Sequence, residues 1–199
     1  MEDVLQVYTR PHDPARPFLR LDETSKQLVA ETRTPLPPRP GRPARYNYEY
    51  QRNGTASLFM LFAPLEGWRE VTVTERRTID YAQVLKELSD VHFVLVQDNL
   101  NTHNPASLYE AFTALEARRL VERFEWHYTP KHGSWLNMAE SELAILSNQC
   151  LDRRIPDRRS LERQVAACLL DRNTHNVKAN WRFTAADARI KLKSLYPAL

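Results

Sequence analysis

Apolar residues fall along this chain in two rhythms, and each predicts its own kind of element. Unbroken apolar runs mark strands covered on both faces. Ala56-Ser57-Leu58-Phe59-Met60-Leu61-Phe62-Ala63 is one, and Val91-His92-Phe93-Val94-Leu95-Val96-Gln97 is another. Glu70-Val71-Thr72-Val73-Thr74-Glu75-Arg76 alternates with period two, as a half-exposed strand does. Pro17-Phe18-Leu19-Arg20-Leu21 and Phe124-Glu125-Trp126-His127-Tyr128 complete the strands. The first of these ends at Asp22-Glu23, and the run from Val91 ends at Asp98-Asn99. Between the strands the spacing lengthens to that of a helix. Asp80 to Leu88 is one such segment; a second is capped by Asn104, with Pro105 in its first turn and Leu108, Phe112 and Leu115 as its buried stripe. Ser134 caps a third, running to about Cys150 with Trp135, Ala139, Leu143, Leu146 and Cys150 on one face. Ser160 and Thr184 start two more, and Thr184 to Asp187 has the spacing of a capping box. Three strands, then helix, strand, helix, strand, helix and a helical tail predict an α/β fold with helices on a mixed five-stranded sheet.

One stretch breaks the rhythm. Pro35-Leu36-Pro37-Pro38-Arg39-Pro40-Gly41-Arg42-Pro43 holds five of the thirteen prolines. Proline fixes φ and constrains the residue before it, so neither a helix nor a central strand can form there. The region 30–47 is therefore an extended basic loop between the first two strands, long enough to suggest a role beyond connection.

Charge adds an asymmetry. The 199 residues carry 28 Lys and Arg against 25 Asp and Glu, or +3. Residues 151–199 hold eleven of the basic and five of the acidic residues, so a basic extension follows an acidic body. That pattern fits a polyanionic partner, and equally a solvated basic helical face. No apolar run is long enough to span a bilayer, and Met1-Glu2-Asp3 does not open a secretory signal. Cys150 and Cys168 are too few for a disulfide scaffold, and they read as packing residues of a protein in a reducing cytoplasm. On these grounds 1–16 forms a lead segment, 17–150 the main domain and 151–199 the extension.

The candidate chemistry is carboxylate chemistry. Asp22 and Asp98 each follow an apolar strand, and in open α/β sheets ligands gather beyond the carboxyl ends of the strands. Two such carboxylates side by side repel each other unless a cation lies between them, and hard oxygen donors suit Mg²⁺ or Mn²⁺. His103, in the polar stretch after Asp98, reads more readily as a surface residue than as a phosphate contact. In Tyr128-Thr129-Pro130-Lys131-His132-Gly133-Ser134-Trp135-Leu136-Asn137-Met138-Ala139-Glu140, Lys131, His132 and the helix N–H groups converge where a phosphate could bind. Glu140 and Glu142 flank the apolar stripe of that helix on opposite sides, so periodicity leaves both open as a further ligand. A zinc site from His127, His132, Cys150 and Cys168 fails on spacing, and there is neither a Gly-x-x-x-x-Gly-Lys phosphate loop nor a Gly-x-Ser-x-Gly nucleophile elbow.

With these residues in hand, the chain resembles the catalytic domain of bacterial insertion-sequence transposases of the mariner-like superfamily, family six-thirty. The resemblance rests on Leu21-Asp22-Glu23-Thr24-Ser25-Lys26-Gln27-Leu28, on Tyr48-Glu49-Tyr50-Gln51-Arg52-Asn53-Gly54-Thr55-Ala56, and on Val96-Gln97-Asp98-Asn99-Leu100-Asn101-Thr102-His103. It continues through His127 to Glu140 and Trp181-Arg182-Phe183-Thr184. It implies a ribonuclease H-like fold and a DDE site in which Asp22, Asp98 and Glu140 hold two Mg²⁺ (or Mn²⁺) ions. It further implies DNA cleavage and strand transfer, and a clamp-type role for the loop at 30–47, against DNA or a partner subunit. DNA would be the partner, bound by a homodimer in the cytoplasm, at the nucleoid. Lys131, His132, Arg153, Arg154, Arg158 and Arg159 are the candidate phosphate contacts. A helix-turn-helix region that reads transposon ends does not fit before Asp22, so end recognition would fall to a separate domain or reading frame. An inactive DNA-binding remnant and a ribonuclease H-type nuclease are the alternative functions.

Overall fold

The computed structural model describes residues 1–75, 78–88, 91–131 and 133–195. Its five strands are β1 (Phe18–Glu31), β2 (Tyr50–Ala63), β3 (Trp68–Thr74), β4 (Phe93–Gln97) and β5 (Phe124–Tyr128). They form one sheet in the order β3-β2-β1-β4-β5. β1, β2 and β3 are antiparallel neighbours, whereas β4 and β5 run parallel to β1. The sheet is therefore mixed, with β1 at the seam.

Alternation divides the core. In β2, Phe59, Leu61 and Ala63 join Leu19 and Leu21 on one face, under α2 (Thr78–Glu87), α3 (Ala106–Ala111) and α4 (Ala114–Val121). Leu58, Met60 and Phe62 face the other way, against α5 (Met138–Ile145), the π-helical turn Leu146–Cys150 and α6 (Arg158–Thr174). On that same side Val94 and Val96 meet α1 (Glu2–Tyr8) and Ala188 of α7 (Ala185–Lys191). Helices thus cover both faces, which is why the run from Ala56 to Ala63 is buried throughout, Ser57 included.

Several expectations need correction. The first strand does not end at Asp22. It continues to Glu31, paired with β2 from Arg20↔Phe62 to Glu31↔Tyr50 with an irregularity between Gln27 and Val29. Its pairing with β4 covers only Phe18 to Leu21. Beyond that point β1 stays paired with β2, with β3 still alongside as far as Ser57↔Thr74; only after Ser25 do β1 and β2 run on as a two-stranded ribbon, braced where Val29 N donates to the Ile155 carbonyl (2.7 Å) and where Leu28 packs into the core. The loop at its tip closes on itself through reciprocal backbone hydrogen bonds, Leu36 with Arg45 (2.9 and 3.1 Å) and Arg39 with Arg42 (2.9 and 2.8 Å). Gly41, at φ +74°, supplies the turn that an L side chain resists.

The helix expected from Asn104 onward is two helices. Pro105, not Asn104, takes the cap position of α3, with no side-chain cap bond, although Asn104 Oδ1 still accepts from Ala106 N (2.8 Å); Thr113 caps α4, and Leu115 is 84% exposed instead of part of a buried stripe. Asp157 caps α6 ahead of Ser160, while the Thr184–Asp187 capping box forms as expected. Cys150 and Cys168 pack against the core as expected, but they are joined in a disulfide, which ties the end of the π-helical turn to α6. No helix among the described residues is long and apolar enough to cross a membrane.

Candidate active site

The end of the β1–β4 pairing sets the place of the site. Leu21 lies beside Gln97, so Asp22 and Asp98 are the next residues on two adjacent parallel strands. Both are half-buried. Glu140 approaches from the first turn of α5. Asp22, Asp98 and Glu140 line one cleft of about 320 Å³, together with Glu23, Thr24, Asn137 and Ser147.

Asn137 makes this approach possible. Its Nδ2 donates to the Leu21 carbonyl (2.8 Å) and its Oδ1 accepts from Ala139 N (3.2 Å). One buried side chain therefore caps α5 and fastens it to β1 next to Asp22. This departs from the expected start at Ser134: Ser134–Leu136 is a separate 3₁₀ turn, and Trp135 turns outward to stack on Trp181. The Ala139 and Glu140 N–H groups are already bonded within the cap, so they are not open to a phosphate.

The electrostatics follow from crowding. Burial pushes the Asp22 carboxyl up to about 7; the charges of Asp98 and Glu140 add to the shift, while the Glu23 N–H and His103 oppose it. His103 is not a surface residue. It is fully buried, with Nδ1 bonded to Asp98 Oδ1 and Nε2 3.7 Å from Glu23 Oε2. Burial alone would lower its pKa, but Asp98 and Glu23 outweigh burial and raise it to about 9. The imidazole ring also stacks on Tyr81, whose hydroxyl donates to Gln97 Oε1 (2.9 Å), and Gln97 Nε2 donates to the His103 carbonyl (2.8 Å). The loop after β4 is thus held from beneath. The signal for His103 was its position five residues after Asp98 in an otherwise small polar loop, and for Asn137 its place just ahead of the apolar helix.

Glu142 has a different setting. It is buried, 3.0 Å from Arg69 Nε, and bonded to both Nε and Nη2 of Arg172 (3.1 and 2.9 Å). Only Glu140 of the two glutamates reaches the cleft.

A divalent cation suits the donor set, since hard carboxylate oxygens from three elements face one space, and burial together with the charges of Asp98 and Glu140 raises the pKa of Asp22. The side chains do not form a closed cage: among the described residues no three His, Cys, Asp or Glu stand at common ligand distance.

None of the described basic candidates, Lys131, Arg153, Arg154, Arg158 and Arg159, lines this cleft. Lys131, Arg153 and Arg159 are exposed. Arg154 pairs with Glu31 (2.7 Å), and Arg158 bonds to Glu162 (2.8 Å) and the Val73 carbonyl (2.7 Å). His132 lies outside the described residues.

Residues 17–162 match the family model for DDE superfamily endonucleases. The chain belongs to that superfamily. A comparison with curated proteins found no match. Among solved structures, this DDE endonuclease chain resembles the Mos1 transposase paired-end complex with left transposon end (TM-score 0.54, 17% identity, 88% of this chain and 55% of that one). It also resembles the mariner Mos1 paired-end complexes with Mn (TM-score 0.53, 18% identity, 88% and 55%) and with Mg (TM-score 0.52, 18% identity, 91% and 61%). The likeness establishes a shared ribonuclease H-like fold, and the chain spans little more than half the length of those proteins.

Proposed function

We propose that this DDE endonuclease chain is the catalytic part of an insertion-sequence transposase of the six-thirty type, cleaving DNA phosphodiesters and transferring strands. The observation that carries this reading is the convergence of Asp22, Asp98 and Glu140, from two adjacent strands and a helix, on one cleft. These three would hold two Mg²⁺ or Mn²⁺ ions. When bound, such a pair activates the attacking water or 3′-hydroxyl and stabilises the departing 3′-oxygen. The chain's own residues position the carboxylates: His103 orients Asp98, Asn137 ties α5 to β1, and the Arg69–Glu142–Arg172 cluster steadies α5 from behind. No protein nucleophile is required.

In this reading residues 17–150 are the catalytic domain, preceded by the lead segment 1–16. The loop at 30–47 is a clamp against DNA or a partner subunit, and 151–199 is a basic extension. Exposed Lys131, Arg153 and Arg159, with His132, contact phosphates. Arg154 and Arg158 keep that role only by releasing their partners. The acting form is a homodimer on nucleoid DNA in the cytoplasm, with transposon-end recognition supplied by a helix-turn-helix domain or frame.

Supercoiled plasmid incubated with Mn²⁺ tests the proposal. The chain should nick it, and Asp98→Asn should not. Nicking by both proteins, or binding without nicking, would leave a DNA-binding remnant. Cleavage confined to RNA–DNA hybrids, with no products from a 3′-hydroxyl donor, would mark a ribonuclease H-type nuclease.

A further inference from the structure

A second cavity, of about 350 Å³, lies toward the amino ends of β1 and β4, away from the carboxylates. Phe18 and Arg20 reach it from the same face of β1, and Tyr8, Val94, Leu65 and Trp181 add further walls. The volume falls at the lower end of the range for small-molecule sites.

Arg20 sets its chemistry. The side chain is 1% exposed, yet its Nε and Nη1 meet no hydrogen-bond acceptor among the described residues. Its guanidinium lies over the rings of Phe18 (4.1 Å) and Tyr8 (4.3 Å). The Tyr8 hydroxyl donates to the Leu136 carbonyl. Of the other charged residues on its walls, Arg10 and Arg16 share Glu125 (2.7 and 2.5 Å), His12 bonds to Glu66 (2.7 Å), and the Asp13 carboxylate accepts from the Ala15 N–H (2.9 Å). Glu66 is the carboxylate whose charge reaches Arg20, but the two make no hydrogen bond, and Glu66 Oε2 is itself buried without a partner. Burial opposes the charged state of Arg20. The Tyr8 side chain meets the guanidinium in part, but Nε and Nη1 stay without an acceptor, and a buried cation so incompletely met is costly unless an anion completes it.

The walls choose among anions. Tyr8 packs edge-on to Trp181 (4.9 Å), and Trp181 stacks on the half-exposed Trp135 (6.2 Å). An aromatic track thus leads from the cavity to the surface just ahead of α5. Aromatic faces beside a cation are the means by which proteins hold unpaired nucleotides. We propose that this cavity binds a nucleotide, with its phosphate on Arg20 and its base against Tyr8 and Trp181. The site stands apart from the catalytic reading, because it uses none of the three carboxylates and needs no metal.

The test is run in EDTA on the full chain, following tryptophan fluorescence with equilibrium dialysis as a check. Deoxyadenosine monophosphate should bind saturably. Deoxyadenosine and inorganic phosphate should each bind more weakly, and Arg20→Met should weaken the nucleotide at least about tenfold. A 5′-phosphorylated oligodeoxynucleotide then identifies the source. If it competes, the site takes a DNA strand end, and if it does not, it takes a free nucleotide; either supports the site. No saturable binding by the unaltered chain would overturn it, as would equal binding of inorganic phosphate or undiminished binding by Arg20→Met. Should Arg20→Met fail to fold, the ligand series on the unaltered chain decides alone.

Discussion

Asp22 and Glu142 are both enclosed acids, but their neighbours differ in sign. Two arginines, from β3 and α6, meet Glu142, whereas Asp22 faces Asp98 and Glu140. The folded chain therefore binds a proton at Asp22 more tightly than an ordinary carboxyl of pKa 3.8, with its pKa raised to about 7 by burial and then by those charges. The sign follows from linkage. Stability from this group is full below the ordinary value and is lost as the pH rises through about 7. Without metal, Asp22→Asn should melt at a higher temperature than the unaltered chain near pH ~8, and the gap should narrow toward pH ~5. Mg²⁺ should raise the melting temperature of the unaltered chain more than that of the variant. Scanning fluorimetry checks both; a variant that melts lower at every pH removes this account of Asp22. Periodicity could not separate Glu140 from Glu142, because the deciding partners, Arg69 and Arg172, lie far away in the sequence.

The start of α5 decides where Glu140 stands. Ser134 and Asn137 are both able caps, and local sequence favours neither strongly. The choice is tertiary, since Asn137 also reaches the Leu21 carbonyl. Asn137→Ala should cost about 1–2 kcal/mol in denaturant unfolding through the lost cap. It should also raise the Mn²⁺ concentration needed for half-maximal nicking, because Glu140 loses its tie to β1. An unchanged metal requirement would reduce Asn137 to a cap alone. Other boundaries were legible in proportion to their burial. β5 matches its expected span, and the buried half of β2 reads directly from its apolar run. The far half of β1 and the first residues of β2 did not: Tyr50 to Thr55 are exposed and polar like a loop, and in β1 the half-buried or exposed polar residues from Asp22 to Gln27 hide the strand that leads to buried Leu28. The break between α3 and α4 was hidden for the opposite reason: the exposed Leu115 extended an apolar pattern past the point where Thr113 ends it.

At the scale of the whole molecule the fold was legible before its wiring. Strand order along the chain indicated a mixed sheet, but not that β1 would be the seam between its antiparallel and parallel halves. A strand with neighbours on both sides opens only when one of them leaves. Amide exchange at Leu19, Arg20 and Leu21 should therefore be slower than in edge strands β3 and β5. Faster exchange there than at both edges would contradict the seam. The disulfide was illegible for a related reason: Cys150 and Cys168 lie 18 residues apart on separate helical elements, and only the turn between them brings them together. The ribbon that leaves this seam carries a mechanical consequence. Asp22 stands just before its root and the proline-rich hairpin at its tip, and the β1 backbone between them is interrupted by the irregularity at Gln27–Val29. A force on that tip is met where Lys26 Nζ and Val29 N hold the Leu151 and Ile155 carbonyls (2.6 and 2.7 Å), so the segment between the π-helical turn and α6 shields the first carboxylate from movements of the hairpin.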